Sequence, residues 1–316
     1  MPILVEILLL IAGLILVVLG ADALVDGASS VAKRLGVSEF VIGLTIVGFG
    51  TSCPELVVSL TGAIAGNGAI SMGNVMGSNI FNTLLILGLT ALLTPIAVSD
   101  SNRKVDIPIT LAVTLLFIGT ALTGNRIARW EAIGYLVFFA VYIYYCFKSG
   151  NGSEAEVQGQ ADGPVPPIGK ALVLIIFGLC GLIFGGDLFV DHSVELAHKI
   201  GISDKVIAIT LLAGGTSFPE LATCVVAAAK HKPALALGNI LGSNIFNILL
   251  IIGCSALVNP ISCQSMNPMD YVAIGLSALL VLLCTFMGRK DKLDRWEGGL
   301  MIAVFVAYYI WLFIKQ

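Results

Sequence analysis

Ten apolar runs, near residues 3–25, 38–65, 69–94, 105–123, 129–147, 168–190, 203–229, 233–258, 269–287 and 296–314, decide what this chain can become. A helix crossing the hydrocarbon layer needs about 20 apolar residues, and each run comes close to that. Hydrocarbon offers no partner for a free backbone N–H or C=O, so runs of this length settle as helices whose backbone groups satisfy one another. The chain therefore reads as an all-α polytopic membrane protein with ten transmembrane helices. Charged residues are only 12% of it and fall mostly between the runs. The first run starts at Ile3, holds Glu6 and lacks a basic leader, so it is expected to be a spanning helix rather than a removable signal.

The longest hydrophilic stretch, Lys148 to Pro167, is rich in Gly, Ser, Glu, Gln and Pro and cannot bury enough apolar surface to fold alone. It divides the chain into five helices (1–147), a linker (148–167) and five more helices (168–316). Shifting the second half by 165 residues lays Gly20 and Asp22 on Gly185 and Asp187, Asp26 on Asp191, Ser38 on Ser203, Thr45 on Thr210, Gly88 on Gly253 and Pro95 on Pro260. The halves are copies. With five helices each, an odd number, they must lie upside down to one another, as two inverted five-helix repeats. If the N-terminus is outside, twelve of the seventeen lysines and arginines fall on the inside, in keeping with the positive-inside bias. Both termini are thus expected to be extracytoplasmic and the linker cytoplasmic, in a cell membrane (inner or plasma).

Other classes are excluded by what is missing. A net charge of -3 provides no basic face for nucleic acid. Seven cysteines occur singly, without a CxxC or Cys/His cluster, so neither disulfides nor zinc are expected. Cys263, in a loop, is the one expected to meet solvent. His192, His198 and His231 lie near run ends or in loops and receive no role. Asp22, Asp26, Asp187 and Asp191 are read as helix-end residues solvated at the interface. Trp130, Trp296 and Trp311, with Tyr142, Tyr144, Tyr145, Tyr308 and Tyr309, suit interfacial belts. Nothing calls for a cofactor or an obligatory protein partner.

One stretch does not belong in hydrocarbon. Gly48-Phe49-Gly50-Thr51-Ser52-Cys53-Pro54-Glu55 returns as Ala213-Gly214-Gly215-Thr216-Ser217-Phe218-Pro219-Glu220, each copy inside an apolar run. A carboxylate at bilayer depth costs about 2.5–3.5 kcal/mol even on lenient scales, so it persists where it lines a wet or ion-filled cavity. Pro54 and Pro219 are expected to free the carbonyls of Gly50 and Gly215. A hard cation suits carbonyl, hydroxyl and carboxylate oxygens together. In a regular helix Thr51 and Ser52 share a face with Glu55, as do Thr216 and Ser217 with Glu220. The following helices carry Asn74, Ser78 and Asn82, and Asn239, Ser243 and Asn247, at steps of four, expected to face the carboxylates. Interhelical hydrogen bonding without a ligand is the blander account of these stripes. Gly73 and Gly77, with Gly238 and Gly242, are a spacing for close helix approach.

These paired segments, GFGTSCPE and AGGTSFPE, each followed by GN(V/I)xGSNIFN, resemble the alpha-repeats of the cation/calcium exchanger superfamily, most of all its prokaryotic sodium/calcium exchangers. The resemblance covers nearly the whole chain. It implies that Glu55 and Glu220 share a calcium ion, with backbone oxygens of Thr51 and Thr216. It implies sodium held by Ser52, Thr51, Ser78 and Glu55 on one side, by Ser217, Thr216, Ser243 and Glu220 on the other, and by the carbonyls of Gly48 and Ala213. Asn82 and Asn247 complete the centre. Several prokaryotic relatives and the potassium-dependent exchangers carry Asp where this chain has Asn247, so its neutral amide argues against a potassium requirement. The function implied is secondary antiport of Na+ against Ca2+ by alternating access, with those two ions and the bilayer as partners. A calcium/proton exchanger is the nearest alternative, and the four hydroxyls weigh against it because protons need no coordination shell. An intramembrane hydrolase would need a nucleophile with a base, and no intramembrane histidine accompanies Ser52 or Ser217; no enzyme is expected.

Overall fold

The computed structural model describes residues 2–149, 166–201, 213–264, 266–287 and 292–315. Most of the expected linker, the segment with Ser203, Lys205 and Thr210, and Arg289 and Lys290 lie outside the described residues. So does the side chain of Lys315. Among those described, eight long apolar helices are unbroken: α1 (Ile3–Leu35), α4 (Gly68–Leu93), α5 (Asn102–Gly124), α6 (Arg129–Lys148), α7 (Ile168–Lys199), α10 (Pro233–Val258), α11 (Pro268–Met287) and α12 (Arg295–Ile314). A further span is bent by 47° between α2 (Glu39–Thr51) and α3 (Cys53–Ile64). Its counterpart is the pair α8 (Ala213–Gly215) and α9 (Phe218–Ala229).

The first and sixth helices overrun the apolar runs that announce them, ending at Leu35 and Lys199 rather than near 25 and 190. Acidic side chains do not stop a helix when they lie on a face that meets a cation or opens to a cavity: Lys230 bridges Asp22 and Asp26 at 2.7 Å each, and Asp187 and Asp191 line a cavity beside α7. These aspartates are therefore mid-helix residues, not helix-end ones. α1 stops where Gly36 takes the left-handed conformation (φ 66°), whose N–H returns to the Ala32 carbonyl.

α1 and α7 are antiparallel and pressed together along a seam of small residues seven apart. Gly13 meets Gly185, Gly20 meets Gly178, and Gly27 meets Ala171. A methyl group on Gly20 would stand 2.7 Å from the backbone nitrogen of Leu182, so the two backbones are in contact. One heptad further on, the same register puts Glu6 opposite His192. The carboxylate, only 1% exposed, lies 2.6 Å from His192 Nδ1 and 2.5 Å from Lys199 Nζ. His192 is thus a helical residue tying α7 to α1, not a loop residue. The outer faces of both helices expose Leu8, Ile15, Leu19, Val173, Ile176 and Phe184, a surface suited to lipid.

Contacts between the halves are reciprocal. The two-residue strands β1 (Ile96–Ala97) and β4 (Lys292–Leu293) pair, as do β2 (Arg126–Ile127) and β3 (Ile261–Ser262), so each half's first strand meets the other half's second. Arg129 Nε donates to the Leu257 carbonyl at 3.0 Å and Arg295 Nε to the Leu92 carbonyl at 3.1 Å. Exchange of this kind is the signature of a two-fold axis. With five spans per repeat the axis lies in the membrane plane, and the fold is that of two inverted repeats.

Three expectations are corrected. Cys263 is buried, because it follows β3 and its N–H donates to the Asn125 carbonyl at 2.9 Å, whereas Cys180 on the outer face of α7 is exposed. Tyr142 and Tyr308 do not join the interfacial belt: they turn inward to Asp106 (3.5 Å) and Asp270 (2.9 Å), where each phenol finds a partner. Trp130 and Trp296, 73% and 53% exposed at helix starts, do stand where a belt would.

Candidate functional site

The helix carrying the first signature does not stay regular. Ser52 (φ −83°, ψ 7°) interrupts it, and α3 begins anew with Pro54 in its first turn, where a missing N–H removes no helical bond. Ser217 (φ −86°, ψ 7°) and Pro219 do the same in the second repeat. The prolines thus start helices rather than kink them.

This break redirects the hydroxyls. Ser52 Oγ donates to Glu220 Oε1 at 3.1 Å and Ser217 Oγ to Glu55 Oε1 at 3.2 Å, so each serine serves the carboxylate of the other repeat rather than its own. Ser243 Oγ lies 3.4 Å from Glu220 Oε1 and also from the carbonyl of Gly48. The threonines reach the asparagines of the opposite half: Thr51 Oγ1 donates to Asn239 Oδ1 at 3.1 Å and Thr216 Oγ1 to Asn74 Oδ1 at 3.4 Å. Asn74 itself donates to the Glu55 carbonyl at 3.0 Å and to Ser59 Oγ at 2.9 Å. Ala213 lies in α8 at the position Gly48 holds in the first repeat.

Both carboxylates are completely buried, as are Asn82 and Asn247. Each keeps one oxygen, Glu55 Oε2 or Glu220 Oε2, without a hydrogen-bond partner in the protein, and the same holds for Ser78 Oγ, both amide atoms of Asn82, and Asn247 Oδ1. A buried polar group left without a partner costs roughly 1–3 kcal/mol, more when charged. Such oxygens gathered from both repeats fit a hard cation, which takes six to eight oxygen ligands and tolerates irregular geometry when it is calcium.

Asn82 and Asn247 stand on π-turns, Phe81–Ile86 and Phe246–Ile252, inside otherwise α-helical spans. Such turns cluster at functional sites because they shift side chains out of α register. A crossed network that the residue spacing does not announce lies behind them: Asn79 Nδ2 donates to the Asn244 carbonyl (3.1 Å), Asn247 Nδ2 to Asn79 Oδ1 (2.9 Å) and Asn244 Nδ2 to Thr83 Oγ1 (2.7 Å). It occupies the amide nitrogen of Asn247 and leaves its oxygen free. The repeated GSNIFN segment held these asparagines in plain view, but they fall off the step-of-four stripe.

The two faces of the site differ. A cavity of about 460 Å3 lies between α3 and α7, lined among others by Cys53, Pro54, Asn74, Asp187, Asp191 and Thr216. Asn74 and Thr216 are accordingly half-buried, while their counterparts Asn239 and Thr51 are 0% and 1% exposed. On that second side α1 packs along α9.

The crossed pairs predict a matched result. Ser52→Ala and Ser217→Ala each remove one donor to a buried carboxylate, worth about 1.5–3 kcal/mol. Each is expected to change apparent cation affinity by about tenfold or more, in the same direction and to similar extents. Titration of purified protein with Na+ and with Ca2+ checks this; a large change in one variant and none in the other contradicts the pairing.

Comparison with known proteins places these features in context. Residues 5–148 and 170–314 match the Sodium/calcium exchanger protein family. The sodium/calcium exchanger MaX1 of Methanosarcina acetivorans is 34% identical over 98% of this chain and 99% of its own length. The inner membrane protein YrbG of Escherichia coli is 34% identical over 96% of each. Among solved structures, the sodium-calcium exchanger NCX_Mj soaked with zero Na+ and Ca2+ superposes with a TM-score of 0.85 at 31% identity, covering 98% of this chain and 99% of that one. NCX_Mj soaked with 100 mM Na+ and 10 mM Sr2+ gives 0.83 at 32% identity, over 99% of each chain.

Proposed function

Because the chain belongs to the sodium/calcium exchanger protein family, as a multi-pass membrane transporter and not an enzyme, we propose that it exchanges Na+ for Ca2+ by alternating access and exports calcium. The observation that carries this reading is the pair of buried carboxylates, one from each inverted repeat, each with one oxygen tied to the opposite serine and one free. Glu55 and Glu220 supply a charge of -2 in the chamber, and Asn82 and Asn247 add none. One Ca2+ or two Na+ neutralise that charge. A chamber with two bare carboxylates is expensive to close off in a low-dielectric interior, and a loaded one is not. This difference favours reorientation with either cargo aboard and suppresses leak.

The ligands then divide as follows. Glu55 and Glu220 share calcium with backbone oxygens of Thr51 and Thr216. Sodium uses Ser52, Thr51, Ser78 and Glu55 on one side, Ser217, Thr216, Ser243 and Glu220 on the other, and the carbonyls of Gly48 and Ala213. Asn82 and Asn247 close the centre. Reorientation is a sliding of α1 and α7, whose glycine seam makes them one body, past the fixed remainder. Residues 1–147 and 168–316 act as the two repeats, joined by a cytoplasmic linker with both termini outside.

Calcium uptake into proteoliposomes loaded with sodium tests the coupling. Uptake is expected to follow the outward sodium gradient and to ignore a pH gradient of equal size. Uptake driven by pH and indifferent to sodium would show a calcium/proton exchanger instead.

A further inference from the structure

The inverted repeat lets the two faces be compared side chain by side chain, residue i with residue i+165. Asp22 and Asp26 on α1 correspond to Asp187 and Asp191 on α7. Since α1 and α7 are antiparallel, the two acid pairs lie toward opposite ends of this helix pair, one on each face. They meet different surroundings. Lys230 Nζ lies 2.7 Å from Asp22 Oδ1, 2.7 Å from Asp26 Oδ1 and 3.3 Å from the Asp22 carbonyl. Beside it Lys232 Nζ reaches Ser29 Oγ at 2.6 Å and Glu39 Oε1 at 3.7 Å. On the other face the positions equivalent to Lys230 and Lys232 are Ala65 and Asn67, and Asp187 and Asp191 are exposed in the 460 Å3 cavity, without an ion pair among the described residues. The shut face has the lysines, and the open face has none at those places.

We infer that Lys230 is a latch that biases the transporter toward this conformation, open at Asp187 and Asp191 and shut at Asp22 and Asp26. Lys230 follows α9, in the part that stays fixed, whereas both its aspartates ride on α1, in the part that slides. In the inverted state Asp22 and Asp26 must line a cavity like the one Asp187 and Asp191 line now, which separates them from the ammonium. Among the described residues the opposite face has no equivalent tether to break. Two repeats with the same architecture would otherwise sit near balance; Lys230, with the Lys232–Ser29 bond beside it, makes the resting site face away from it, outward in the proposed orientation. The inference rests on the alternating-access reading.

A native thiol reports the outcome. Cys53 lines the open cavity and is half-buried, and its counterpart on the shut face is Phe218. The rate at which an impermeant maleimide modifies Cys53 in the full chain, read by peptide mass spectrometry, measures how often that cavity is open. Lys230→Gln is expected to shift the open-to-shut ratio about two- to tenfold toward balance, the effect of losing two half-exposed ion pairs, and so to slow Cys53 by up to about twofold. Asp22→Asn with Asp26→Asn should do the same, Lys230→Arg should not, and a thiol placed by Phe218→Cys should react up to about fivefold faster in the Lys230→Gln background. An unchanged Cys53 rate beside intact sodium-driven flux overturns the latch alone. Faster reaction of the fully buried Cys224 together with Cys53 also overturns it, because that is general loosening. Proton-driven flux would overturn the sodium coupling and leave the labelling result standing.

Discussion

Glu55→Gln and Glu220→Gln are each expected to reduce sodium-dependent calcium flux by at least about 100-fold. The amide keeps the size of the side chain, and its oxygen still accepts from Ser217 or Ser52, whose hydroxyls lie 3.2 Å and 3.1 Å away. Only the charge and one strong ligand oxygen are lost. Removing one member of a buried charge pair costs about 3–5 kcal/mol, and 1.4 kcal/mol is tenfold in affinity, so calcium leaves a chamber of charge -1 well beyond the stated factor. Because the two carboxylates serve one ion, the double variant should be no worse than either single one. Monodisperse elution of the variants separates this from misfolding. Substantial flux in either single variant contradicts a shared site.

The second large effect is structural. Gly238→Val or Gly242→Val should leave no folded exchanger, with a loss of about 3 kcal/mol or more. A Cβ at Gly238 would lie 2.1 Å from the Phe40 carbonyl oxygen, and one at Gly242 2.2 Å from that of Leu44; Gly43 meets Leu235 from the other side at 2.3 Å. The obstacles are backbone atoms of a helix that itself carries Thr51, so no rotamer change relieves them and overpacking is felt in full. The first-repeat equivalents, Gly73 and Gly77, have nothing described within 4 Å. The second-repeat residues equivalent to Phe40 and Leu44 fall within 202–212, outside the described residues. Thermal unfolding in detergent checks the prediction; a valine variant that melts like the parent contradicts the close crossing.

How much of this was legible in the residues follows from range. The apolar runs, the duplication at 165 and the odd polar signature are local or periodic, and they disclosed a ten-helix inverted repeat with carboxylates at its heart. Spacing along a helix could place Ser52 beside Glu55, but only the interruption at Ser52 reveals that it serves Glu220, 168 residues away. The pairing of Asp22 and Asp26 with Lys230, more than 200 residues away, is hidden by sequence distance. Tyr142 and Tyr308 look like belt residues until Asp106 and Asp270 are found on the neighbouring helices. Cys263 looks exposed until its N–H is found on the Asn125 carbonyl beside β2. In every case the missing term is a partner from elsewhere in the chain, whereas period, composition and charge were already decisive for the architecture.

Anomalous diffraction from crystals soaked in strontium, a calcium surrogate, tests the central claim most directly. The account predicts one peak in the chamber, within about 2.3–2.8 Å of a carboxylate oxygen of both Glu55 and Glu220, the distances at which calcium and its slightly larger congener meet oxygen. A peak bound to one glutamate alone, or at a place touching neither, would contradict it.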